Sequence, residues 1–236
     1  MKKIFGEHKT KKKQDASEQW ISVSDLMTGL MVVFLFISIA LMRHALIERD
    51  KIKSIAVAYQ QNQVAIYDAL LLEFSKELNA WNAQIDKDTL AFEFKSPDIL
   101  FSKGSYELSE SFQTMLRDFF PRYMAVLDKF KESIKEVRIE GHTSSQWGEM
   151  TSVDEAYFYN MELSQARTRS VLSYIQSLES LEGQKDWIRS HVAAVGLSSS
   201  KPIVDEEGKE DSDKSRRVTF RVITNADIQI SKIIQE

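Results

Sequence analysis

One carboxyl, Asp25, sits inside an otherwise uncharged stretch of 23 residues, positions 20–42, that reads WISVSDLMTGLMVVFLFISIALM. Ionised in apolar surroundings, a carboxylate costs a few kcal/mol unless it is paired or faces a polar cavity. Burial favours the neutral form, and a group balanced between its two forms can take up and release a cation. Asp25 is therefore the expected ion-carrying residue of a relay, and the apolar run after Thr28 favours protons over sodium. Ser22, Asp25, Gly29 and Val32 follow 3-4-3 spacing, with Thr28 three positions past Asp25. On a helix they share one small, polar face that suits close contact with other helices. The Ser22 and Thr28 hydroxyls are expected to keep the acid hydrated. The plainer alternative is an interfacial Asp that snorkels or pairs with an upstream lysine.

A second set lies in the C-terminal half, where Asn160, Leu163 and Arg167 are spaced by three and four residues behind Gly141-His142-Thr143. That spacing places the Arg167 guanidinium on the same helix face as Asn160. A guanidinium fork matches a carboxylate, although a lone helical Arg is more often a surface ion-pair partner. The chain has no Cys and only four separated His, so no disulfide, thiolate site or metal cluster is expected, and no cofactor. No Ser-His-Asp order or suitably spaced carboxylate pair surrounds Gly141-His142-Thr143, so an enzyme is not expected. His142 reads instead as a hydrogen-bonding residue at a strand end.

These groups need elements to hold them. At about 1.5 Å per residue, positions 20–42 make a helix of roughly 34 Å, enough to cross a hydrocarbon core. The stretch is too long for a cleaved signal peptide and lacks a small-x-small cleavage site. Six Lys precede it (positions 2, 3, 9, 11, 12 and 13) and four basic residues follow closely, so the N-terminus is expected on the cytoplasmic side. The domain plan is a basic tail at 1–19, a transmembrane helix at 20–42 and a periplasmic helical linker at 43–87. An α/β domain at 88–224 and a C-terminal tail at 225–236 complete it. In the linker, Val64, Tyr67, Leu71, Phe74, Leu78, Trp81 and Ile85 form a 3-4 seam, expected to dock on the domain or on a second copy.

From Thr89 the periodicity changes. Leu90, Phe92 and Phe94 alternate as a strand that Pro97 ends, and Ser109 caps a helix in which Pro121 is expected to make a kink or a split. Strands follow at 134–143, 191–195 and 218–222, with a helix over 155–178 and an exposed charged loop at 201–215. Strand, helix, strand, helix, strand, loop, strand makes a two-layer α/β (α+β) domain. The whole chain has 236 residues and a formal charge of 31 − 35 = −4, with 43% hydrophobic and 28% charged residues. This is too apolar for a disordered chain, and the mild charge argues against nucleic acid as ligand.

The runs R-I-E-G-H-T (138–143), N-x-x-L-S-x-x-R (160–167), G-L-S-S-S-K-P (196–202) and S-R-R-V-T-F (215–220) resemble the OmpA-like peptidoglycan-binding domain over most of 88–224. The run S-D-L-M-T-G-L-M-V-V-F (24–34) is similar to the membrane segment of MotB, the peptidoglycan-anchored half of the flagellar stator. OmpA-like domains usually read G-H-T-D, whereas Ser144 and Ser145 follow Thr143 here, with Trp147 close by. In a MotB-like chain of this size, that variant resembles the ZorB family of Zorya anti-phage systems. The resemblance implies a proton-driven inner-membrane motor in which a pentameric, MotA-like ZorA-type subunit surrounds two copies of this chain. It also implies peptidoglycan binding by Thr143, Asn160, Leu163 and Arg167, with Tyr159 flanking them. Asp154 or Glu155 is the expected substitute for the missing acid at 144, and Arg216 or Arg217 is expected to brace the last strand. A flagellar-type stator and a passive cell-wall tether are the alternatives.

Overall fold

In the computed structural model the described residues are 7–95, 100–102, 104–148 and 150–225, with side chains described at 20 and from 23 onward. Helix α1 (Glu7–Phe74) contributes to two compact units, Met1–Ser54 and Ile55–Glu236. In the first, Val23 to Met42 are exposed and mostly apolar, with Asp25 among them. The helix is long and apolar enough to cross a membrane, with a best 18-residue mean hydropathy of 2.3 and none of that window buried. It is a candidate span. The Lys9–Lys13 and Ser22 side chains lie outside the described residues.

In the second unit, the end of α1 is amphipathic, and Ile66, Leu70 and Phe74 are fully buried. The chain then turns into β1 (Ala83–Asp86), which pairs antiparallel with β2 (Ala91–Lys95). The continuous 3-4 seam expected through Ile85 is therefore cut at Phe74. The same residues also satisfy a strand: Ala83 and Ile85 alternate inward, and Trp81 packs on Phe74 with ring centroids 5.9 Å apart. Sheet pairing with Phe92 and Phe94 outweighs another helical turn. The linker stretch thus supplies the edge strand of the domain.

Helix α2 (Glu110–Asp128) starts where Ser109 accepts a hydrogen bond from the Phe112 N–H at 3.1 Å. Pro121 lies inside it and does not split it. Phe119, Phe120, Tyr123 and Met124 are all fully buried, and that packing offsets a lost helical bond and ring clash worth about 3 kcal/mol. Beyond it come β3 (Ile134–His142), α3 (Val153–Ser177), α4 (Lys185–His191), β4 (Val192–Gly196), α5 (Ser212–Ser215) and β5 (Arg217–Thr224). The sequence signals miss both α4 and α5. Because α4 uses His191, β4 begins one residue later than the alternation indicated. Pro97, the expected strand terminator, lies outside the described residues.

The sheet order is β1-β2-β5-β3-β4, antiparallel except for β3–β4. Alternation sorts its faces. Phe92, Phe94, Val137, Ile139, Val218 and Phe220 turn into the core with the helices, where Phe119 meets Phe92 at 4.6 Å and Phe220 at 5.1 Å. Glu93, Glu140, His142, Arg217, Thr219 and Arg221 occupy the opposite register positions. Arg122 ties α2 to the end of α1, donating to Glu73 at 2.7 Å, its carbonyl at 3.0 Å and Glu77 at 3.2 Å.

Two glycines set how closely α3 lies on the sheet. A Cβ at Gly196 would stand 2.4 Å from Gln165 Cγ and 2.5 Å from Gln165 N, and one at Gly141 would stand 2.8 Å from the Ser164 carbonyl oxygen. Gly196→Ala is expected to lower the stability of this unit by about 1–3 kcal/mol through overpacking. Urea unfolding of the full chain in detergent, followed by tyrosine and tryptophan fluorescence, measures this.

Candidate functional site

The C-terminal end of β3, the loop after it and the first turns of α3 enclose a cleft of about 930 Å3. Its position follows from local chemistry. Ser152 begins α3 with a capping box: its hydroxyl accepts from the Glu155 N–H at 3.3 Å, and Glu155 accepts from the Ser152 N–H at 3.1 Å. Gly148 turns the loop at φ +64°, a backbone state that favours glycine. Leu197 N–H donates to the Gly141 carbonyl, and Thr143 N–H donates to the Ser198 carbonyl, both at 2.9 Å. Ser198 is fully buried, and its hydroxyl donates to the Tyr157 carbonyl at 2.7 Å. The Gly196-Leu197-Ser198 motif is thus a clamp that seats Thr143 beside α3.

Four of the expected residues, Thr143, Asn160, Leu163 and Arg167, line this cleft together. Tyr159 does not line it. It stands just outside, half exposed, stacked on Trp147 at 5.5 Å and 29°. The Thr143 hydroxyl is buried with no hydrogen-bond partner among the described residues. The Asn160 amide donates to the Ser144 carbonyl at 3.0 Å and the Gln146 carbonyl at 3.3 Å, so it holds the loop. Arg167 is nearly buried, donates to the Ser105 carbonyl at 2.9 Å and lies 4.8 Å over the Phe101 ring. Arg216 joins Arg167 in the lining but pairs with Asp213, so the guanidinium that suits an anionic ligand is that of Arg167.

Asp154 and Glu155 are not among the lining residues, and Glu155 is committed to the helix cap. The carboxylate that reaches the loop is Glu210, which accepts from the Ser145 N–H at 3.0 Å. It comes from the segment 201–215, which is not a plain exposed loop. Val204 and Glu210 form an isolated bridge, and Ser215 is fully buried, accepting from the Ile203 N–H at 2.9 Å. No local pattern at 143–147 points to an acid more than sixty residues away. The stacking of Trp147 was equally invisible, because its partner depends on how the loop folds back.

Behind the cleft, Arg217 braces the last strand by donating to the Ser215 carbonyl at 3.1 Å. His142 differs from its expectation: neither ring nitrogen has a hydrogen-bond partner among the described residues, and Nε2 lies 3.7 Å from Glu140. Burial, with Arg217 and Lys201 nearby, holds His142 below the usual histidine range against the pull of Glu140. Burial alone would raise Glu140, but His142, Arg221 and Lys201 overcome it and keep this carboxylate ionised.

In the first unit, α1 carries Asp25, Thr28 and Gly29 in the helical register that groups them on one face. Asp25 is exposed. The Thr28 hydroxyl donates to the Ser24 carbonyl at 2.8 Å, so only its oxygen lone pairs are left to support an ion or water. Among the described residues, no group of three or more His, Cys, Asp or Glu is placed to hold a metal ion.

Comparison with known proteins agrees with this architecture. Residues 100–216 match the OmpA family. Over 236 residues, covering all of both chains, the sequence is 56% identical to Zorya protein ZorB from Escherichia coli strain Crooks. It is 28% identical to Zorya protein ZorB from a second Escherichia coli strain, over 90% of this chain and 83% of that one. A putative MotB like protein from Desulfovibrio vulgaris superposes with a TM-score of 0.46 at 18% identity, over 75% of this chain and 94% of its own.

The buried pair behind the cleft makes stability depend on pH. Ionised Glu140 stabilises the fold above its unfolded value near 4.5, and that contribution is lost as pH falls further. Neutral His142 becomes costly below its unfolded value near 6.5, where the unfolded chain gains a proton that the fold resists. Stability is therefore expected to decline from pH 6.5 downward. His142→Gln should remove the part of the decline nearest pH 6.5 and, because His142 helps to hold Glu140 ionised, also weaken the part below pH 4.5, as read from urea midpoints across a pH series.

Proposed function

The chain belongs to the ZorB family, and from that premise we propose that it is the peptidoglycan-anchored subunit of a proton-driven motor in the inner membrane that acts in Zorya anti-phage defence. The observation that carries the proposal is the full-length 56% identity, which spans the apolar segment with its acid as well as the cleft-bearing domain. In this reading the N-terminus is cytoplasmic, α1 crosses the membrane once, and the domain lies in the periplasm. Two copies stand within a pentameric ZorA-type partner.

Each half has its own chemistry. Thr143, Asn160, Leu163 and Arg167 take the peptide part of the cell wall, whose carboxylates match the guanidinium of Arg167. Anchoring keeps the subunit from turning with its partner. Asp25 faces the partner ring, receives a proton from the periplasmic side, loses its charge and releases the contacts that charge made. Proton release to the cytoplasm restores them. One elementary charge crossing 100 mV supplies about 2.3 kcal/mol, enough to bias a step. Two copies let one acid be loaded while the other is engaged.

Two measurements test the halves separately. Asp25→Asn, expressed from the native operon at matched levels, is expected to abolish protection in phage plating assays. Retained protection would make the chain a passive wall tether and end the ion-carrying role. Arg167→Ala is expected to weaken pull-down of the full chain by purified sacculi about tenfold or more, as loss of a charge-assisted pair requires.

A further inference from the structure

The cleft has a feature that its guanidiniums do not use. Trp147 lines the rim, stacked on the half-exposed Tyr159, so the two rings brace each other beside a polar floor. The loop holds the pair in advance. Asn160 fixes the Gln146 carbonyl, the Thr151 hydroxyl donates to the Trp147 carbonyl, and Glu210 fixes the Ser145 N–H. A surface ordered before binding loses little entropy when a ligand arrives. Beneath it, the Thr143 hydroxyl is buried with no partner among the described residues, which is costly unless a ligand supplies one.

An aromatic face bordered by hydroxyl and amide groups matches one ligand chemistry closely. A pyranose ring has an apolar face of C–H groups and a polar edge of hydroxyls. The ring face of Trp147 turned away from Tyr159 would take the first through dispersion and weak C–H contacts, and the Gln146 side chain beside it would take the second. We propose that the Trp147–Tyr159 pair is a saccharide platform that stacks an amino-sugar ring of the glycan strand next to the cleft that takes its peptide. This rests on the peptidoglycan reading above and adds to it which part of the wall each side of the site grips.

Calorimetric titration of the full chain in detergent tests the proposal with two probes: a disaccharide-peptide muropeptide, and the same peptide after its sugars are removed by an amidase. The wild type is expected to bind the sugar-bearing probe about tenfold more tightly, the size of one ring-stacking contact. Trp147→Leu keeps apolar bulk without a ring and should bring that ratio close to one, and Trp147→Phe should restore most of it. Equal binding of both probes by the wild type overturns the platform and leaves the peptide-binding cleft in place. A ratio that survives Trp147→Leu also overturns it, and if that variant instead loses self-association the pair is a contact between copies. Failure of the wild type to bind either probe removes the peptidoglycan reading itself.

Discussion

The close approach of α3 to the ends of β3 and β4 is the constraint on which the candidate cleft depends. Gly141 and Gly196 leave no room for a Cβ against Ser164, Gln165 and Thr168, so the helix lies at backbone distance from the parallel strand pair. That distance lets Ser198 bond to both Ser164 and Tyr157, and lets Thr143 bond to Ser198. A helix held a methyl group further out would break both Ser198 bonds to it. Asn160 would then no longer reach the loop carbonyls that it holds.

The two faces of the sheet divide the work. The helix-covered face is aromatic and supplies the apolar burial that stabilises the fold, centred on Phe119. The other face carries charge in a pattern that pairs diagonally, with Arg217 at 3.8 Å from Glu93 and Arg221 at 3.9 Å from Glu140. Thr219 sits between Glu93 and Glu140 in the register and donates to the latter at 3.4 Å. These opposed charges keep Glu140 ionised while burial keeps His142 neutral beside it. The end of β3 is thereby a charged, ordered platform under the loop that bears Thr143.

Helix α1 illustrates how one element can serve two environments. Over Val23 to Met42 most side chains are apolar and all are exposed, which suits lipid or partner helices. From Ile55 onward the pattern narrows to a buried stripe ending in Ile66, Leu70 and Phe74, with polar residues on the remaining faces. Arg122 closes that end by bonding Glu73 and Glu77 and covering the Phe74 ring at 4.9 Å. The ionic and cation–π contacts lie at the point where the helix stops and the chain turns towards β1.

Resemblance to OmpA-like domains pointed to Thr143, whereas the periodicity of the sequence carried the apolar span with its single acid, the two-layer α/β class, the Ser109 cap and the common helix face of Asn160, Leu163 and Arg167. Each of these is written in local spacing, which reports helical or strand periodicity over a few residues. Tertiary structure alone decided that the 3-4 seam stops at Phe74, because Ala83 and Ile85 fit a strand as well as a helix and only pairing with β2 chooses. It alone brought Glu210 to Ser145 and stacked Trp147 on Tyr159, contacts that join segments with no periodic relation. It also gave Asn160, which lines the cleft, a second task as the support of the loop, since where a side chain on a helix face finds its partner depends on what folds over that face.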